Sequence, residues 1–282
     1  MTDRMRQVAG VDVPTFIYGT AWKEERTADL VTQALRAGFR GLDTANQRKH
    51  YREGEVGRAL LAEFARGTLR REDVFVQTKF TFRVSQDDRL PYDPAAPITR
   101  QVAQSFESSL SHLGVERIDS YLLHGPSQRQ GLAAPDIEAW AAMQALHDEG
   151  KTRFLGVSNV TPDQLAALLR RPGVRPTFVQ NRCYASLGWD AAVRAICDRE
   201  GLVYQGFSLL TANQMMMRGR VVQDIARRHQ QTPAQVVFRF ALQLGIIPLT
   251  GTTNPRHMAE DLAVYEFELT AADMQAIERV GP

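Results

Sequence analysis

Short apolar runs alternate with longer amphipathic stretches along almost the whole chain. The runs at 16–18, 41–43, 74–78, 120–123, 154–157, 178–180, 203–206 and 246–249 are each bounded by turn residues, as short strands buried on both faces should be. Between them, residues 28–37, 98–113, 136–148, 162–169, 191–199 and 233–244 repeat apolar positions at helical spacing. Thr161-Pro162 and Thr232-Pro233 put a side-chain acceptor at the cap and a proline at the first helical position, where no N–H is needed. Gly38, Gly114 and Gly150 stand where helices should stop, since glycine enters the left-handed region without a Cβ clash. Strand–helix alternation of this kind predicts parallel strands with right-handed crossovers, either closed into a barrel or open as a doubly wound sheet. The open sheet would normally carry Gly-x-Gly-x-x-Gly after its first strand, and the chain has none. The reading is therefore α/β, a single-domain (β/α)8 TIM barrel over residues 1–282.

Two irregular stretches interrupt the alternation. Residues 80–97 carry Pro91, Pro94 and Pro97, and residues 208–219 carry the Met215-Met216-Met217 run. Both follow the C-terminal ends of expected strands, where a barrel bears its binding loops; they either shape a site or are plain surface connections.

Composition narrows the function classes. A net charge of +2 and the absence of RNP, zinc-finger or helix-turn-helix patterns point away from nucleic acid. Two cysteines, Cys183 and Cys197, are too few for a disulfide framework and suit reduced thiols. The start, Met1-Thr2-Asp3-Arg4, has no apolar leader core, and no stretch is apolar enough for a membrane span. The expectation is a cytoplasmic monomer that uses neither membrane nor nucleic acid. There is no His-Glu-x-x-His, no paired Cys-x-x-Cys and no Gly-x-Ser-x-Gly, so neither a metal centre nor a nucleophile elbow is expected.

The chemistry lies at the strand ends. Asp43 closes the second run, Lys79 follows the third and His124 follows the fourth. One such group is an ordinary strand cap. Three ionisable side chains on consecutive units of a barrel converge on one mouth, which suits a site better than solvated surface. A single strand-end carboxylate argues against a glycosidase, which needs a pair.

These residues resemble the aldo-keto reductase superfamily, whose tetrad is Asp, Tyr, Lys and His on this barrel. The resemblance runs from Gly19-Thr20-Ala21-Trp22-Lys23 through Gly156-Val157-Ser158-Asn159 and Val179-Gln180-Asn181 to Ile247-Pro248-Leu249-Thr250-Gly251-Thr252. It implies reduction of small-molecule aldehyde or ketone carbonyls with NADPH, NADH being the alternative. The family's Tyr position, five residues after the Asp, holds Arg48 here. Tyr51 is the nearest phenol and precedes Glu55-Val56-Gly57, which is similar to the helix start after the family's Tyr. The resemblance thus implies a lengthened loop and assigns the tetrad to Asp43, Tyr51, Lys79 and His124. The other reading leaves Tyr51 an ordinary loop residue and the protein a nicotinamide-nucleotide-binding sensor with little or no turnover. In the tetrad, Lys79 is expected to lower the pKa of the phenol, Asp43 to hold Lys79, and His124 to orient the substrate oxygen.

The same resemblance implies cofactor contacts from Gly19, Thr20 and Asp43, with Ser158, Asn159 and Gln180 on the nicotinamide carboxamide. Phe207 stands where the family stacks a tyrosine under the nicotinamide, with Ser208 and Leu210 along the pyrophosphate. Gly251, Thr252, Thr253, Asn254, Arg256, His257 and Asp261 cover the adenosine-phosphate clamp. The clamp's usual Lys is missing, its Arg falls on His257 and its Asn on Asp261. Trp22 and Phe80, with Phe82 and Tyr92, are either apolar substrate walls or loop packing. The basic run Arg48-Lys49-His50 either attracts an acidic substrate or is a solvated face.

Overall fold

The computed structural model describes residues 4–280; residues 1–3, on which the leader expectation partly rests, lie outside them, as do residues 281 and 282. Two short strands, β1 (Met5–Val8) and β2 (Val11–Pro14), form an antiparallel hairpin. Eight parallel strands follow: β3 (Ile17–Gly19), β4 (Gly41–Asp43), β5 (Phe75–Phe80), β6 (Ile118–Leu123), β7 (Thr152–Ser158), β8 (Phe178–Arg182), β9 (Val203–Phe207) and β10 (Ile247–Thr250). β10 pairs with both β9 and β3, so the sheet closes into the expected (β/α)8 barrel.

The two-residue period of each strand sorts its side chains. On β5, Phe75 joins an inner cluster with Ile17, Phe154, Phe178, Val203, Ile247 and Leu249, whereas Val76 and Phe80 belong to the core between strands and helices. Val8 and Val13 of the hairpin join the inner cluster and close the floor of the barrel. The hairpin lies outside the expected strands because Met5, Arg6 and Gln7 are exposed and leave almost no apolar alternation to read. Above the apolar floor the interior turns polar. The register sets Gly19 beside Asp43, Asp43 beside Gln77, Ser158 beside Gln180 and Gln180 beside Gln205.

The helix signals act as expected. The Thr161 and Thr232 side chains each accept the N–H three residues on, at 3.2 Å, and Gln164 and Gln235 return the bond to the cap N–H at 3.0 Å. Gly38 and Gly114 end their helices at φ +117° and +65°. The helix Glu53–Ala65 is missing from the amphipathic segments because Glu53 and Glu63 are buried within it and break its stripe. Gly57 lies so close to the carbonyl of His112 that a Cβ would overlap it, which fixes this helix against Ile98–Leu113 and sets where the preceding loop begins. Residues 80–97 contain one 3-10 turn, Arg83–Ser85, and residues 208–219 contain the short helix Gln214–Arg218. Cys183 and Cys197 are buried free thiols, each pushed up to about 12 by desolvation.

Candidate active site

β5 runs two residues further than its apolar pattern suggests, so Lys79 lies inside the strand and points into the barrel. Its Nζ donates to both oxygens of Asp43, at 2.7 and 2.6 Å, and to the Thr44 carbonyl at 2.9 Å. An ammonium has three protons, so none remains for another partner. Both side chains are almost fully buried. Desolvation lowers the Lys79 pKa, opposed by Asp43.

Asp43 is also held from the other side. Its Oδ1 accepts from Gln77 Nε2 at 2.7 Å and from Gln180 Nε2 at 2.9 Å. Both amides donate as well to Gln205 Oε1, at 2.8 and 3.0 Å, and Gln205 Nε2 returns to Gln77 Oε1 at 3.1 Å. A carboxylate only accepts, so it fixes the orientation of every amide in the ring. Gln180 is thereby left with its Oε1 free of any partner among the described residues. Gln77 and Gln205 are absent from the expected site, although a glutamine at an inward position of an apolar strand is a visible signal.

The lengthened loop folds back on itself. His50 and Tyr51 N–H groups both donate to the Gln47 carbonyl, at 3.1 and 3.0 Å, and Asn46 is pinned to Ser105 and Ser109 of the helix behind. This turn brings the Tyr51 ring within 5.4 Å of Lys79 Nζ and edge-on to His124, 6.0 Å between ring centres. The Tyr51 hydroxyl has no hydrogen-bond partner among the described residues. Burial raises the phenol's pKa, with Asp43 adding to the effect. This corrects the expected direction: the charge of Lys79 is committed to Asp43 and does not outweigh desolvation, so the phenol stays protonated at neutral pH. His124 Nδ1 lies 2.7 Å from Thr81 Oγ1. Burial, then Lys79 and His50, lowers its pKa well below the usual value, and the ring is neutral.

The expected cofactor residues divide. Ser158, Asn159, Gln180 and Phe207 gather at the mouth, with Asn159 Nδ2 donating to the His124 carbonyl at 2.8 Å and to Ser158 Oγ at 3.0 Å. Phe207 points inward, half-buried, above the apolar floor. Asn159 and Ser208 adopt left-handed backbone at φ +56° and +58°, each at the turn that ends its strand, and Leu210 packs half-buried on the core. Thr20 requires correction: it is fully buried, and its N–H and hydroxyl both donate to the Asp43 carbonyl, at 3.0 and 2.9 Å, so it stitches Gly19 and β3 to β4. Phe80 requires another as a substrate wall, and for it, Phe82 and Tyr92 the loop-packing alternative is the one observed. Phe80 points outward because Lys79 points inward, and it is fully buried against Phe82 and Tyr92. Trp22 is the exposed aromatic at the rim, stacked on His50 with 3.8 Å between ring centres.

In the clamp, Gly251, Thr253, Asn254, Arg256 and His257 are exposed and Thr252 half-buried. Asn254 Oδ1 caps the helix Pro255–Leu262 through the Arg256 N–H at 2.9 Å, and Arg256 pairs with Glu260 at 2.7 Å. No lysine stands in the clamp segment itself, but Lys23, buried in the loop after β3, donates to the Gly251 carbonyl. Nothing inside the clamp segment could have signalled it.

Asp261 is turned inward, accepting from Thr250 Oγ1 at 2.7 Å, so it packs the clamp from behind instead of standing open to a ligand. Burial raises its pKa to about 7, opposed by the Thr250 bond. An acid whose folded pKa exceeds its unfolded one destabilises the fold progressively between the two values, and fully above the folded one. At ~1.4 kcal/mol for each pKa unit, the penalty near pH 8 is at most about 4 kcal/mol. Asp261→Asn is expected to raise Tm near pH 8 and to change it little near pH 4. Thermal melts at the two pH values check this, and an equal gain at both would contradict it.

The aldo/keto reductase family model matches residues 15–282. The chain is 31% identical to an uncharacterised oxidoreductase, YtbE, of Bacillus subtilis, over 97% of this chain and 93% of that one. It is 30% identical to an aldo-keto reductase of Mycolicibacterium smegmatis, over 100% and 97%. It is 28% identical to prostaglandin F synthase 1 of Bos taurus, over 98% and 91%. A crystal structure of an aldo/keto reductase from Brucella melitensis superposes with a TM-score of 0.82 at 24% identity, covering 99% of this chain and 97% of that one. With the barrel, the strand-end groups and the whole-length match together, the chain belongs to the aldo/keto reductase family.

Proposed function

We propose that this protein reduces aldehyde or ketone carbonyls to alcohols with NADPH, Tyr51 giving the proton. The observation that carries this reading is the Tyr51 ring beside Lys79 and His124 with its hydroxyl unengaged. The mouth fits a nicotinamide dinucleotide. Gln180 Oε1 is held as an acceptor for the carboxamide N–H, Ser158 and Asn159 stand beside it, and Phe207 offers an aromatic face. Lys23 brings a cation to the Gly251 backbone, next to the half-buried Thr252 and the exposed Thr253 and Asn254. That charge favours NADPH over NADH, with Arg256 available to a phosphate once released from Glu260.

When bound, the dinucleotide supplies the hydride that the carbonyl carbon receives. His124, neutral and fixed by Thr81, directs the substrate oxygen toward the phenol. Tyr51 keeps its proton until that oxygen becomes basic, then passes it on. The resulting phenolate lies beside the Lys79 charge, and the Asp43 bonds keep that charge in place.

Purified protein mixed with NADPH and a panel of aldehydes and quinones should consume the reduced-nicotinamide absorbance. Quenching of protein fluorescence by the nucleotide with no such consumption would favour the sensor reading instead.

A further inference from the structure

Pairing between β7 and β8 stops at Ser158 and Gln180, where Asn159 turns into left-handed backbone. Just beyond that turn, the peptide groups of the buried Val160 still need partners. Both come from one side chain. The Val160 N–H donates to Asn181 Oδ1 at 3.0 Å, and Asn181 Nδ2 donates to the Val160 carbonyl at 2.8 Å. An N–H can only donate, so the amide is held in a single orientation. Asn181 follows Gln180 on β8 and points outward because Gln180 points inward. Its side chain thus continues the sheet for one step after the strands have separated.

The other Nδ2 proton goes to Asp190 Oδ2 at 2.9 Å, and the same oxygen accepts from the Tyr204 hydroxyl at 2.8 Å. Asp190 ends a left-handed run, with Gly188, Trp189 and Asp190 at φ +60°, +57° and +53°. Only the first is glycine, and residues with a Cβ disfavour this conformation. Trp189 keeps the run in place: it is fully buried on Phe240, with 4.8 Å between ring centres. Its N–H donates to the Tyr184 carbonyl at 3.0 Å, and its carbonyl accepts from Arg194 Nε at 2.8 Å. Backbone strain held from several sides in this way points to a position whose geometry is used. Here it delivers the carboxylate that fixes Asn181.

Asn159 lies on the other side of this brace. Both of its Nδ2 protons are taken, by the His124 carbonyl and Ser158 Oγ. Its Oδ1 is left as an acceptor, without a partner among the described residues, on an exposed side chain at the end of β7. We infer that Asn181, itself set by Asp190, is a positioning residue for the nicotinamide. By fixing the Val160 peptide it holds the Asn159 turn, and with it the acceptor offered to the carboxamide. The inference rests on the reading of the mouth as a nicotinamide-dinucleotide site.

Calorimetric titrations test it, comparing NADPH with adenosine 2′,5′-bisphosphate, which shares the adenosine end and lacks the nicotinamide. In Asn181→Leu the Kd for NADPH should rise about tenfold, as for one lost hydrogen bond, while that for the bisphosphate stays within about twofold. A structural role alone would lower Tm and move neither Kd, or move both together. Asn181→Asp keeps the acceptor for the Val160 N–H and sets a second carboxylate against Asp190. It should weaken NADPH binding with the same selectivity, and adding Asp190→Asn, which returns a donor to the pair, should recover most of the loss. These two proteins carry the test if Asn181→Leu does not fold. Equal shifts for the two ligands, or NADPH affinity within about twofold of the wild type in the folded variants, would overturn the inference and leave the reductase reading intact. Wild-type protein that binds no NADPH would overturn that reading and this inference with it.

Discussion

Replacing Tyr51 by phenylalanine is expected to lower kcat by roughly 10²- to 10⁴-fold, the share a positioned general acid usually supplies. The substitution removes one oxygen that has no protein partner among the described residues, so it breaks no internal bond and leaves the turn built on Gln47 in place. On the proposed reading Tyr51 does not hold the nucleotide, so NADPH affinity should stay within about twofold. Stopped-flow hydride transfer together with a fluorescence titration of NADPH separates the two. Full activity in this variant would mean that another group protonates the product. Because burial raises the phenol's pKa and lowers that of His124, wild-type kcat should also be nearly flat between about pH 6 and 8.

Lys79→Met should lower the rate by a different route. Lys79 Nζ stands 5.4 Å from the Tyr51 ring centre. Unopposed, that charge would be worth ~3 kcal/mol at an effective dielectric of about 20, and the paired Asp43 carboxylate offsets part of it, leaving roughly one to two orders of magnitude in rate. The variant also leaves Asp43 buried with two amide donors and no cation, a loss of about 3–5 kcal/mol in stability. The double variant Lys79→Met, Asp43→Asn removes both charges and should recover much of the stability without recovering the rate. Denaturant melts and stopped-flow hydride-transfer rates measured on both proteins test this. A rate in Lys79→Met within about threefold of the wild type would show that Lys79 does not act on the phenol.

How much of this was legible beforehand follows from where each signal is written. Barrel strands are continuous apolar runs, so their number and order could be read directly. Asp43, Lys79 and His124 stood out as ionisable groups against that apolar background. Tyr51 carried no such contrast; only the family resemblance drew attention to it, and its position depends on a turn closed by the Gln47 carbonyl. Lys23, Thr81 and His50 act on partners from other loops, and such contacts leave no periodic trace in the chain. Phe80 shows the reverse, a direction already written in the strand. Once Lys79 points inward, the next residue must point outward, so its ring was bound for the helix layer.

The floor hairpin assigns the two ends of the molecule different tasks. Its Ala9–Gly10 turn is exposed and stands at the pole opposite the strand C-termini. A linker spliced into that turn would anchor the protein to a bead or electrode with the entrance facing bulk solution. Immobilised material should then keep the turnover of the free form, whereas attachment through the loops near Trp22 would obstruct traffic.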